Sequence, residues 1–314
     1  GLGNRGIIRA RGPRGRRRPR ARPASPSAPR RAPGDAVRGG VLRRPGRGAR
    51  RRAAAAGGGD EVDWKTSGDL AEDVTDVEDF IAAGQDTYQA VKYCEVPVVA
   101  ASAGMCLGGG AEVLMHCDAI QSHAESYIGL VEVGVGIIPA WGGCKELMGR
   151  LRDFGLVPEG PMGPVMKAFE YIGTAQVAKS AEQARSMGFL GPSDGITMNR
   201  DRLLADAKAR ALELSSGYEP PEPRTYNLPG PTGRTALELA VRDLELSGQA
   251  TPHDVVVTTE LAWILSGGDT DMTEDMEEDD ILTMEKEAIV RLGRHEDSLA
   301  RMEHMLETGK PLRN

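Results

Sequence analysis

The residues best suited to chemistry lie between positions 108 and 132. Gly108, Gly109 and Gly110 end an apolar run and precede AEVLMHCD, so unhindered backbone N–H groups stand where a strand gives way to a helix. The helix dipole adds positive potential at that point, and the pair of features would supply half of an oxyanion hole. Glu112 lies three residues beyond Gly109, on the same face if the helix begins there. Glu132 follows twenty residues after Glu112, and a helix, a strand, a turn at Glu125 and a second strand could return it to Glu112's side. Two neighbouring carboxyls suit general acid–base work, because like charge and burial keep one protonated while the other is ionised.

Each feature has an ordinary structural explanation. Triple glycine usually makes a flexible turn, and a glutamate in a first helical turn usually answers the dipole or a capping bond. The combination is what argues for a site. His116 and His123 read as a buried helix residue and a strand residue, so no metal centre is expected. Cysteines 94, 106, 117 and 144 form no CxxC pair and read as reduced structural thiols.

The surrounding elements follow from periodicity. Val77, Phe80, Ile81, Tyr88, Val91 and Tyr93 are spaced for an amphipathic helix over 74–93. VPVVAASA reads as a buried strand, AEVLMHCD as a short buried helix, and AIQSHA with SYIGLVE as a strand hairpin before the turn-rich IIPAWGG. Farther on, VPEGPMGP is a loop and MKAFEYIGTAQVA a helix. SAEQARSMG is a helix between a Ser180 cap and a Gly188 stop, and another runs from Arg202 to Ser215. Residues 218–232 read as a Pro-rich linker, and 233–314 as a helical region, acidic across TEDMEEDD and stopped at Gly309.

Charge divides the chain in two. Residues 1–59 hold 18 arginines, no lysine, no aromatic residue and one acid, Asp35. Taken from totals of 39 basic and 46 acidic residues, they leave 21 and 45 beyond position 59, so a strongly basic segment precedes a strongly acidic one. An Arg/Pro/Gly/Ala composition cannot bury enough surface to offset chain entropy, and disorder is expected there. The choice is between a nucleic-acid-binding tail and a GC-rich coding region read out of frame; without interleaved aromatics the second is preferred, and nucleic acid is not an expected partner. GLGNRG at the start fits a dinucleotide fingerprint but has no strand before it. No run approaches eighteen apolar residues and no leader-like apolar segment opens the chain, so a soluble, cytoplasmic protein without membrane contact is expected.

The order of a buried strand ending at Gly104, LGGGAE, a short helix ending at Asp118, a second glutamate and then IPAWGG resembles the crotonase (enoyl-CoA hydratase/isomerase) family. SAEQARSMGFL at 180–190 continues the likeness. From Tyr93 to Asn314 the chain is similar to the carboxy-terminal part of bacterial bifunctional 3-hydroxyacyl-CoA dehydrogenase/enoyl-CoA hydratases of fatty-acid β-oxidation. The resemblance implies an α/β fold, the crotonase spiral of ββα turns, incomplete on its N-terminal side and occupying 60–217. It implies acyl-CoA as substrate, no cofactor in this chain and NAD only in a missing dehydrogenase half. Partners would be further copies of the chain or that dehydrogenase domain.

The same resemblance gives residue roles. Gly109, flanked by Gly108 and Gly110, would polarise the thioester carbonyl, Glu112 would activate water and Glu132 would donate the proton. Trp141 and Pro139 would shape the acyl pocket. Family members draw a second oxyanion N–H from an upstream FxxGAD-like loop, whose place is taken here by AAAAGGGDEVDWKTSGD. Hydration impaired by that loss is the first expectation. The alternatives are a non-catalytic truncated or frame-shifted fragment, and an enoyl-CoA isomerase, which manages with one glutamate.

Overall fold

The structure is a computed structural model that describes residues 74–314, all within one compact unit, Asp63–Asn314. The expectations for 1–59 and the GLGNRG match lie outside the described residues.

Helix α1 spans Val74–Lys92, close to the predicted bounds. Strands β1 (Val99–Ser102) and β2 (Met105–Leu107) lead into α2 (Gly109–Met115). Strands β3 (Ala119–His123) and β4 (Tyr127–Gly129) lead into a 3-10 turn, Glu132–Val135, and α3 (Gly143–Asp153). Then come α4 (Met162–Gly173), α5 (Ala181–Ser186), β5 (Gly195–Thr197) and α6 (Leu203–Leu214). Ser180 accepts the Gln183 N–H at the start of α5, and Gly188 has φ +85° after its end, as the sequence signals predicted.

The expected hairpin is not formed. Strands β1, β3 and β5 make one parallel sheet, and β2 and β4 a second. Each strand's neighbour belongs to the next ββα turn: Val99 stands opposite Ala119, and Met105 opposite Tyr127. A chain that bends between β3 and β4 and sends them to different sheets builds a spiral, the crotonase arrangement. The offset between paired strands, Val99 to Ala119 and Met105 to Tyr127, is close to the spacing of Glu112 and Glu132.

The linker reading is also corrected. Within 218–232, β6 (Thr225–Asn227) pairs antiparallel with β7 (Asp275–Glu277), and α7 (Gly230–Leu246) has already begun. Tyr226 and Leu228 alternate inward and are each 2% exposed. Pro220, Pro221 and Pro223 precede the strand, Pro229 caps α7 and Pro231 lies in its first turn, so none interrupts the strand. TEDMEEDD likewise is not all helix, since β7 occupies its middle and α9 (Glu278–Gly293) its end. With α8 (Pro252–Ser266) and α10 (Glu296–Thr308), these helices share a single core with the spiral, from Ala111 and Ile120 to Leu265 and Leu292. Among the described residues no helix is long and apolar enough to cross a membrane.

Candidate active site

The glycine triplet sits at a helix start, as the sequence suggested. Gly108 caps α2 with φ +56°, a conformation that favours glycine, and its N–H donates to the carbonyl of Gly129 at 2.9 Å. That bond ties the glycines to the segment bearing Glu132. Gly109 and Gly110 open the helix, so their N–H groups have no acceptor within it.

Glu112 is buried in the first turn of α2, and its Oε1 accepts the N–H groups of Trp141 at 2.9 Å and Gly143 at 2.8 Å. Burial pushes its pKa up to about 7, against the pull of those two amides and the Lys145 charge. Glu132 is partly buried as a residue, yet both carboxyl oxygens are shielded from solvent and have no hydrogen-bond partner. Its Oε1 lies 3.3 Å from where a Cβ on Gly108 would stand. Burial first, and then the Glu112 charge, hold Glu132 well above the ordinary carboxylate range; its own amide and that of Val131 oppose this without reaching hydrogen-bond geometry. Glu132 therefore lies against the glycine turn, and its carboxyl feels the Glu112 charge.

An aromatic cover closes over Gly109. The Trp141 ring lies 3.0 Å from where a Cβ at Gly109 would stand, tighter than side chains ordinarily pack. Phe80 and Tyr88 of α1 meet the Trp141 ring edge-on, with centroids 5.6 and 5.4 Å away. Tyr88 Oη donates to the Gly109 carbonyl at 3.0 Å. Burial, followed by the Glu112 and Glu132 charges, pushes the Tyr88 phenol up to about 12, which puts all three groups in one field. Pro139 is buried beneath Gly143, where its carbonyl accepts a long bond from the Cys144 thiol. It supports the turn, whereas Trp141 faces the glycines.

Sequence reasoning missed a third acid. Glu285 of α9 is fully buried, accepts the N–H groups of Gly142 and Lys145, and is pushed up to about 8 by burial and the Glu112 charge. The available signal was an acid in the apolar stripe of Ile281, Ala288 and Leu292. His116 is buried, with Nδ1 2.8 Å from the Glu112 carbonyl, and burial pushes its pKa down to about 4, so it is a neutral core residue.

Residues 62–151 match the sequence model of the enoyl-CoA hydratase/isomerase family. In this segment the chain is similar to the crotonase family. It is 43% identical over 232 residues to a probable 3-hydroxyacyl-CoA dehydrogenase of Bacillus subtilis, covering 73% of this chain and 29% of that protein. Over 102 residues it is 35% identical to a short-chain-enoyl-CoA hydratase of Clostridium acetobutylicum, covering 32% of this chain and 34% of the relative. A solved enoyl-CoA hydratase from Bacillus halodurans superimposes with a TM-score of 0.46 at 17% identity, over 74% of this chain and 71% of that one. The chain thus spans about a third or less of the two curated relatives just named. Among crotonase relatives the names join hydratase and hydroxyacyl-CoA dehydrogenase, the two activities the resemblance had paired.

Proposed function

We propose that this chain carries the enoyl-CoA hydratase portion of a multifunctional enzyme of fatty-acid β-oxidation, adding water to a trans-2-enoyl-CoA to give a 3-hydroxyacyl-CoA. The observation that carries the reading is the buried, electrostatically linked pair Glu112 and Glu132 against the glycine turn.

The division of labour follows from the surroundings. Two backbone N–H donors stabilise the anion of Glu112, which makes it the easier acid to ionise and the base that takes a proton from water. Glu132, with no donor on either oxygen, keeps its proton and delivers it to C2. Negative charge gathering on the thioester oxygen would be met by the Gly109 N–H at the positive end of α2. Acyl-CoA is the substrate, the reaction needs no cofactor, and NAD would serve only a dehydrogenase half. In that reading the dehydrogenase half or further copies of the chain are the protein partners, in the cytoplasm.

No FxxGAD-like pattern is written upstream of α1, so on this reading the family's second oxyanion donor has no counterpart in the sequence. Loss of one donor typically costs about 10²–10³ in rate, which is the impairment expected of this chain. A non-catalytic fragment is the second reading, favoured by the same missing pattern. The two are separated by following the conjugated enoyl-thioester absorbance of crotonyl-CoA with purified chain. Slow turnover abolished by Glu112→Gln supports the hydratase; no turnover above the buffer rate, from chain with native circular dichroism, leaves the fragment.

A further inference from the structure

Away from the glutamates, the starts of α8 and α10 bring His253, His295 and Asp297 together. His253 is 1% exposed, and its Nε2 lies 2.8 Å from Ser298 Oγ. Ser298 Oγ in turn donates to the Gly136 carbonyl at 2.6 Å. A hydroxyl has one proton, so with that proton given to Gly136 the contact to His253 requires Nε2–H as donor. The neutral ring then carries a bare lone pair on Nδ1. That atom is buried and has no hydrogen-bond partner.

The lone pair faces other acceptors. Asp297 Oδ2 is 3.9 Å from His253 Nδ1 and 3.8 Å from His295 Nδ1. The imidazole centroids are 4.6 Å apart with planes inclined at 37°, and one ligating atom from each residue lies within 4.8 Å of the other two. His295 Nδ1 otherwise takes only a 3.3 Å bond from the Asp297 N–H. The nearby Arg301 cation is already answered by Asp254 at 2.8 Å and by the Asn314 side chain at 2.7 Å.

We propose that His253, His295 and Asp297 bind a divalent transition-metal ion of the zinc type. Two neutral imidazoles and a carboxylate suit such ions and leave a fourth position for water. Bonds of about 2.0–2.2 Å would draw the ligating atoms to roughly 3.5 Å from one another, a small closure. Asp297 is exposed and His295 half-exposed at a helix start, so both side chains have room to make it. Ser298 fixes the His253 tautomer by taking its other N–H, the arrangement usual for a metal-bound imidazole. The ion would clamp α8 to α10 and, through Ser298, to Gly136, four residues beyond Glu132. It acts as a structural tie and is independent of the hydratase reading.

The test is titration of the tag-free, chelator-stripped full chain with Zn²⁺ by calorimetry and with Co²⁺ by visible absorption. Residues 1–73 contain neither histidine nor cysteine, so no competing imidazole or thiol lies there. The expected result is about one ion per chain, a cobalt d–d band without a thiolate charge-transfer band, and a higher Tm with metal. His295→Ala and Asp297→Asn should each weaken binding by at least about tenfold with circular dichroism unchanged. Absence of stoichiometric binding, a thiolate band, or unaltered affinity in either variant overturns the proposal. The cobalt spectrum of the unaltered chain decides it even if a variant misfolds.

Discussion

Glu112 and Glu285 hold one backbone turn between them. Glu112 accepts the N–H groups of Trp141 and Gly143, and Glu285 those of Gly142 and Lys145, so these four amides at the start of α3 go by turns to acids from α2 and α9. The helix start attracts both carboxyls, while their mutual repulsion and burial favour a proton on at least one.

The turn gives Glu285 a positioning role. Glu285→Ala leaves two buried amides without acceptors, which costs about 1–3 kcal/mol, and loosens the turn that aims Glu112. The expected outcome is a lower kcat with KM little changed, partly restored by Glu285→Gln. A folded pKa of about 8 lies above the ordinary 4.5, so this group's stabilisation is complete below pH 4.5 and is lost as pH rises through 8. Denaturant unfolding across that window should show a falling stability whose slope is reduced in Glu285→Gln.

The acid pair makes a second prediction. Glu112→Gln and Glu132→Gln should each lower hydration by about 10²–10⁴, and the double variant should be little worse than either, because the pair acts as a unit. The acid limb of the kcat profile should follow the ionisation of Glu112, near 7. Additive losses in the double variant would mean that the two carboxyls do not serve one transition state.

A third concerns the buried ion cluster on the far side of α3. Lys92, Lys145 and Arg224 surround Glu146, and both lysines also reach Glu278. The Lys145 side chain is 0% exposed. Glu278→Ala should cost about 3–5 kcal/mol, because it strands buried lysine charge, and a compensating Lys92→Met should recover part of it. Glu278 is held down to about 2 chiefly by the lysine charges against its burial. Its stabilisation is therefore present above pH 4.5 and lost as pH falls through 2, opposite in sign to Glu285. Urea midpoints between pH 2 and 5 measure the loss.

What could be read in advance depended on local signals. The twenty residues between Glu112 and Glu132 are close to one turn of the spiral, and the Ser180 and Gly188 limits were legible because caps are local chemistry. The β3–β4 hairpin was misread because a parallel partner lies a full turn away, not in the adjoining segment. Prolines at 220, 221 and 223 masked the alternation of Tyr226 and Leu228 that buries the supposed linker. Glu285 carried a signal, acid within an apolar stripe, but its partners arrive from 140 residues away along the chain.

The contact between Gly84 and Trp141 supplies the last prediction. A Cβ at Gly84 would stand 2.1 Å from Trp141 Nε1, and that indole N–H is buried without a partner. On propensity alone Gly84→Ala, inside α1, should stabilise by about 1 kcal/mol. The collision outweighs that gain, because the indole is wedged between α1 and Gly109 and has no side-chain tip to swing aside. Gly84→Ala is therefore expected to destabilise the chain, and Trp141→Phe, which removes the unpartnered N–H and the colliding edge, to cost little. Combined, the second change should restore the helix-propensity benefit of the first, giving a coupling of about 0.5–3 kcal/mol in a double-mutant cycle measured by urea unfolding. Simple additivity would mean that α1 does not rest on Trp141, and the aromatic cover over Gly109 would have to be redrawn.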